Sequence, residues 1–200
     1  SFLFALRADA AEKPENLALK ATVSADSEYN AAHAAIRIND GKIPEPMGKN
    51  DAGSSWVVKG DTHRGGATVT MQWDEPVTIG EVVYYGRTGW DWFEIFKSCE
   101  IYLDDATEPA AKGGFVIAHG PQRVVLSKPA TARKLRIKFI GSYGGPNPGA
   151  AEIEVYASSP PADTLMKLEQ PRGIAMMRSV PFLMDQESPE LATKLKNGEL

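Results

Sequence analysis

"KLRIKFIG", Lys134 to Gly141, decides the fold class. Leu135, Ile137 and Phe139 alternate with Lys134, Arg136 and Lys138, a period of two that turns one set of side chains to a core and the other to water. An amphipathic helix would space its apolar residues by three and four. Outward from this stretch come further short strand-like runs: "RVVLS" (123–127), "GFVIA" (114–118), "CEIYLDD" (99–105), "IGEVVYYG" (79–86), "TVTMQW" (68–73) and, downstream, "EIEVYA" (152–157). Gly, Pro, Asn and Asp punctuate them. With "LALKATVSA" near the start, they make about eight strands, and each one-sided set of strands needs a facing sheet to cover it. The expected fold is all-β, an antiparallel β-sandwich.

Residues 16–157 form this domain. Residues 1–15 contain a short apolar run followed by Ala8-Asp9-Ala10, small residues at the spacing a signal peptidase reads, and are expected to be a signal-peptide remnant or a disordered N-terminal extension. The two prolines of "ASSPPAD" cannot continue a ladder, so residues 158–164 read as a linker. Beyond it, residues 165–200 mix Met-rich apolar patches with helix-start signals such as Ser188-Pro189-Glu190. They are expected to be a partly helical extension or the opening of a further domain.

Composition excludes several function classes. With 22 basic and 26 acidic residues, the net charge of −4 provides no footprint for nucleic acid. The sequence has no run approaching the ~18 apolar residues of a membrane helix. Its single cysteine, Cys99, cannot form an internal disulfide and sits in a strand as a small core residue. No Ser elbow, no zinc spacing among His33, His63 and His119, and no identifiable carboxylate dyad point to catalysis, so the domain is expected not to be an enzyme.

"NLALKATVSADSEYNAAHAAIRINDGK", "SSWVV", "TVTMQWDEPVTIGEVVYYG", "CEIYLDD", "VVLSKPATARKLRIKFIGS" and "AAEIEVYA" follow one another in the order seen in discoidin-like domains. The chain thus resembles the coagulation factor type C group, which includes the family 32 carbohydrate-binding modules. This resemblance implies an eight-stranded jelly-roll sandwich of the galactose-binding-domain-like type, non-catalytic, with ligands held in loops at one end. It also implies a structural Ca²⁺ near Asp40, Ser54 and Glu152, because calcium takes six to eight oxygen ligands, which two carboxylates and loop carbonyls can provide. The sequence departs from the family pattern in two places: the insertion "KIPEPMGKNDAG" (42–53), and a longer, more aromatic stretch after "YYG".

That aromatic stretch, "RTGWDWFEIFK", cannot turn Trp90, Trp92 and Phe93 all toward one interior, because Gly89 and Asp91 interrupt the two-residue period. Trp56 and Trp73 are assigned to the core. A pyranose presents an apolar C–H face and a rim of hydroxyls, so its site needs a flat ring beside polar groups. His63, Arg64, Arg87 and Trp90 are the leading ligand candidates, followed by Trp92, Tyr29, Asn30 and Tyr143, with Asp61 and Asn147 in neighbouring loops. His33 reads as a side chain tucked over the sheet edge.

The sequence therefore points to a secreted or periplasmic module that binds glycans weakly, with further domains beyond residue 200. Two other readings remain open: an adhesion or scaffold module on a protein or lipid surface, and the leading part of a larger secreted enzyme. A wide apolar patch without a polar rim would favour adhesion.

Overall fold

A computed structural model describes residues 12–171. Among these residues seven strands run in order: β1 (Thr22–Ala25), β2 (Trp56–Val57), β3 (Gly66–Gly86), β4 (Phe96–Leu103), β5 (Ala111–Gly114), β6 (Pro121–Ser142) and β7 (Gly149–Tyr156). The expected pairs "TVTMQW"/"IGEVVYYG" and "RVVLS"/"KLRIKFIG" each run together into one long strand, β3 and β6. Their first and second halves belong to different layers. Residues 66–72 of β3 pair with 134–140 of β6, and 77–85 pair with 121–132, with register shifts between Gln72 and Val77 and between Ile79 and Glu81. Pro76, which lacks a ladder donor, lies in the first break. One layer is therefore β1, the start of β3, the end of β6, β4 and β5. The other is β2, β7, the end of β3 and the start of β6. Every pairing is antiparallel.

Between the layers lies one core that includes Val69, Met71, Ile101, Leu135 and Ile137 from the first sheet and Val82, Val124, Ile153 and Val155 from the second. Phe139 is its hub, stacked on Phe96 with centroids 4.7 Å apart and 5.1 Å from Tyr84. Trp56, Trp73 and Cys99 are all in this core. Burial pushes the Cys99 thiol up to about 12, so it stays protonated and inert.

"IGEVVYYG" lacks polar alternation because both of its faces are covered. Val83, Tyr85 and Tyr156 form a second cluster on the outer face of the sheet, against Ile43. Lys13 reaches Glu154 across this face, and Arg123 pairs with buried Glu81 while also donating to the Pro160 carbonyl. The "linker" segment is thus fastened to the sandwich at its start.

Two strand boundaries differ from the sequence expectation. Within "LALKATVSA", Leu17–Lys20 forms a tight helical turn whose Ala18 amide is capped by the Asn16 side chain, leaving only Thr22–Ala25 in the sheet. Within "GFVIA", the chain leaves the ladder after Gly114, and Phe115 inserts into the core instead of continuing the edge. The signal-like start (1–11) and most of the C-terminal extension (172–200) lie outside the described residues. Among the described residues, no helix is long and apolar enough to cross a membrane.

Candidate functional site

β3 ends at Gly86 and β4 begins at Phe96, so the aromatic stretch is the loop that joins the two layers at one end of the sandwich. Its first residue, Arg87, is 6% exposed and organises the surroundings. The guanidinium grips Asp51 with two donors, Nε at 2.6 Å and Nη2 at 3.2 Å. Nη1 donates to the Glu94 carboxylate and to the Asn147 carbonyl at 3.0 Å. Glu94 also accepts from the Asn147 amide at 3.3 Å. One fork of five N–H groups therefore ties together three separate segments, 51, 94 and 147, a geometry that lysine could not reproduce.

Asp51 is further bound by His33, whose Nε2 lies 3.3 Å away, while His33 Nδ1 contacts Asn30 Oδ1 at 3.0 Å. Burial works to raise the Asp51 carboxyl, but Arg87 and His33 outweigh it and hold the group below its ordinary range. The Asn147 side chain accepts from the Gly60 amide at 3.1 Å. Only glycine fits there, because a Cβ on residue 60 would sit 1.5 Å from the Pro146 carbonyl oxygen.

In front of this network opens a cleft of about 290 Å³, lined among others by Tyr29, His33, Asp51, Arg87, Trp90 and Asn147. Trp90 is 45% exposed on its rim. The Lys49 ammonium sits 5.5 Å from the Trp90 ring centre and also donates to the Trp90 carbonyl. The other rings of the loop turn away, Trp92 at 8% and Phe93 at 6% exposed. An Asx turn, with the Phe93 amide donating to Asp91 Oδ1, produces that reversal.

The insertion 42–53 builds one wall of the cleft. Its Met47 and Lys49 amides donate to the Thr88 and Gly89 carbonyls, both at 2.9 Å, and a Cβ on Gly89 would press on Pro44 and Asp51 at 3.0 and 3.1 Å. Lys49, Asn50, Asp51 and Ala52 line the cleft as a result. None of these was singled out from sequence, nor was Glu94; the density of Lys, Asn and Asp in the insertion was the available signal.

Of the ligand candidates, the structure brings Tyr29, Arg87 and Trp90 together with Asn147. His33, read from sequence as an edge side chain, joins them. Asn30 stands behind, capping the turn Ala31–His33 through the Ala32 amide. His63, Arg64, Trp92 and Tyr143 do not line the cleft. His63 lies on the single turn Gly60–His63 with its Nδ1 at 2.8 Å from Thr62 Oγ1, and Arg64 points to solvent just beyond it. Tyr143 donates instead to the Phe115 carbonyl at 2.6 Å.

Asp40 and Glu152 lie side by side away from the cleft. The Gly41 amide donates to Glu152 Oε2 at 3.1 Å, while Glu152 Oε1 and Asp40 Oδ2 are buried without a hydrogen bond. The Lys42 amide donates to Asp40 Oδ1 at 3.1 Å, and its ammonium stands 3.6 Å from Oδ2. Burial, aided by the Asp40 charge, pushes the Glu152 carboxyl up to about 9. The Ser54 hydroxyl donates to the Asp51 carbonyl at 3.2 Å. Among the described residues, no group of three His, Cys, Asp or Glu side chains converges as a metal cluster. Two orphaned carboxylate oxygens fit a hard, oxygen-seeking cation whose shell is completed by carbonyls.

The chain is similar in fold to solved sugar-binding modules. A Clostridium perfringens family 32 module solved with GalNAc-β-1,3-galactose superposes with a TM-score of 0.59 at 16% identity, over 72% of this chain and 100% of that one. A second C. perfringens family 32 module, solved with galactose, gives 0.57 at 19% identity, over 70% and 97%. A Ruminococcus gnavus fucosidase solved with fucose gives 0.54 at 16% identity, over 72% of this chain and 27% of that one. No curated protein matches the sequence. The family model described as "Domain of unknown function (DUF7402)" matches residues 16–156, the whole sandwich with its cleft, and the chain belongs to that family.

Proposed function

We propose that this chain is a non-catalytic carbohydrate-binding module of a secreted or periplasmic protein, and that it holds a sugar in the cleft beneath Trp90. The observation that carries this reading is the pairing, in one cleft, of a half-exposed indole with a fixed polar wall of Arg87, Asp51, Asn147 and His33. A flat ring takes the C–H face of a pyranose, and the guanidinium, carboxylate, amide and imidazole beside it take the rim. The exposed rings here, Trp90 and Tyr29, are bordered by polar groups, which favours a sugar over an adhesion surface. The solved sugar modules of the same fold support the same choice. Binding through one ring at about 25 cal/mol per Å² supports millimolar to micromolar affinity, so repeated ligands and avidity matter. A glycan array with the full chain tests the reading, which fails if no glycan is retained.

Asp40 and Glu152 would hold a structural Ca²⁺, supplying carboxylate oxygens that otherwise accept no hydrogen bond. With calcium at about ten times its dissociation constant, linkage adds about 1.4 kcal/mol, a rise of roughly 3–6 °C in Tm. Glu152→Gln removes that rise while leaving the chain folded in chelator. Thermal melts with and without chelator check this, and identical melting of the parent in both would remove the ion from the account.

A further inference from the structure

Alternation explains why residues 134, 136 and 138 of β6 are polar, but not why all three are basic. Side chains two apart on a strand stand about 6.7 Å from one another on the same face, so like charges there repel. Their cross-strand neighbours on β3 supply no acid: Lys134 faces Gln72, Arg136 faces Thr70 and Lys138 faces Thr68. On β4, Glu100 faces Lys138 and Tyr102 faces Arg136. Glu100 is already shared, bound by Lys112 at 2.8 Å and by the Tyr102 hydroxyl at 2.7 Å, with Lys138 only at 3.8 Å. Lys134 is paired with Asp105 at 2.5 Å, but that acid's side chain is 93% exposed, so water screens the pair. Asp104 is occupied by the Arg133 and Lys134 amides.

The ladder lies in a depression. Two adjoining hollows of about 570 and 520 Å³ share Lys134 and Asp105, and the turn after β4 forms one bank. In the floor, Arg136 is fixed flat, its guanidinium carbon 5.2 Å from the Tyr102 ring centre and one nitrogen donating to the Ala106 carbonyl at 2.7 Å. A surplus of positive charge is thus presented along a groove by a molecule whose overall charge is −4.

We infer that this groove on the outer face of the sheet is a second binding site, taking an extended acidic polysaccharide whose carboxylates run along Lys134, Arg136 and Lys138. Cations at regular spacing suit a chain with a charge on each sugar, and Thr68 and Tyr102 offer groups for hydroxyls between the charges. The denser charge of nucleic acid suits a protein of net negative charge poorly. The groove is independent of the Trp90 cleft and would hold a glycan of its own.

Affinity electrophoresis of the full chain in native gels containing polygalacturonate, dextran or single-stranded DNA tests this. The parent is expected to be retarded by polygalacturonate alone, less so as salt rises. Lys134→Gln/Lys138→Gln should weaken that retardation about fivefold or more, and Thr70→Glu, which adds an acid beside Arg136 without deleting a contact, should weaken it as well. All these side chains lie on the outer face, so melting temperatures should hold. Trp90→Ala should leave polygalacturonate retardation unchanged, which separates this site from the cleft. No retardation of the parent, equal retardation of the variants, or equal retardation by DNA would overturn the inference.

Discussion

Arg87→Ala should be the most damaging single change in the domain, costing about 3–5 kcal/mol because it strands two buried carboxylates rather than merely deleting a contact. Asp51 is 2% exposed and Glu94 1%, and the guanidinium is the cation both share. For a chain of this size the loss corresponds to a drop in Tm of roughly 6–20 °C. Arg87→Lys should recover only part of it, since a point charge cannot hold Asp51 bidentately. The acid limb of stability should change too. The folded Asp51 carboxyl lies below its ordinary value of 3.8, so the unfolded chain binds the proton more readily. The stabilisation is therefore complete above that pH and is lost as pH falls through the folded value. Arg87→Ala removes the larger of the two causes of the depression, leaving burial opposed only by His33, and should flatten this limb. Chemical denaturation from pH 7 down to acid checks both statements; a variant as stable as the parent would show that the network is ornamental.

Trp90→Ala should separate binding from stability. The ring is 45% exposed and belongs to neither apolar cluster, so Tm should barely move. If the ring buries about 100 Å² with its sugar, at about 25 cal/mol per Å² the loss is about 2.5 kcal/mol, or between 10- and 100-fold in affinity. Trp90→Phe should keep part of it. Calorimetry against glycans retained by the parent measures this, and unchanged affinity in Trp90→Ala would exclude the ring as a platform. Trp92→Ala should do the reverse, lowering stability with little direct effect on the ligand, because that ring is buried and lies beside residues 168–171 rather than the cleft.

The difference between these two tryptophans was beyond local reading. "GWDWFEIF" says that the rings cannot share one interior, yet the choice of Trp90 for the rim follows from the Asx turn at Asp91 and the insertion packed on Gly89. Arg87 was a credible ligand contact from its place after a strand. It lines the cleft and also binds Asp51 and Glu94, the first from an insertion that departs from the family pattern. His63 and Arg64 were plausible for the same reason Arg87 was, a loop position and a polar side chain, but their short turn leads away from the cleft.

Periodicity by itself determined the layers: an alternating strand such as Lys134–Gly141 must bury one face, and several of them close into a sandwich whatever their loops do. The inert Cys99 followed from the same rule, because a strand residue's facing is set by its immediate neighbours, whereas the core places of Trp56 and Trp73 rested on the family resemblance. The cleft was decided only in three dimensions. Asp51, Arg87, Glu94 and Asn147 are far apart along the chain, and their partners depend on which loops meet at one end of the sandwich. Whether a charge is buried, and by what it is neutralised, is a property of that meeting and not of any local pattern.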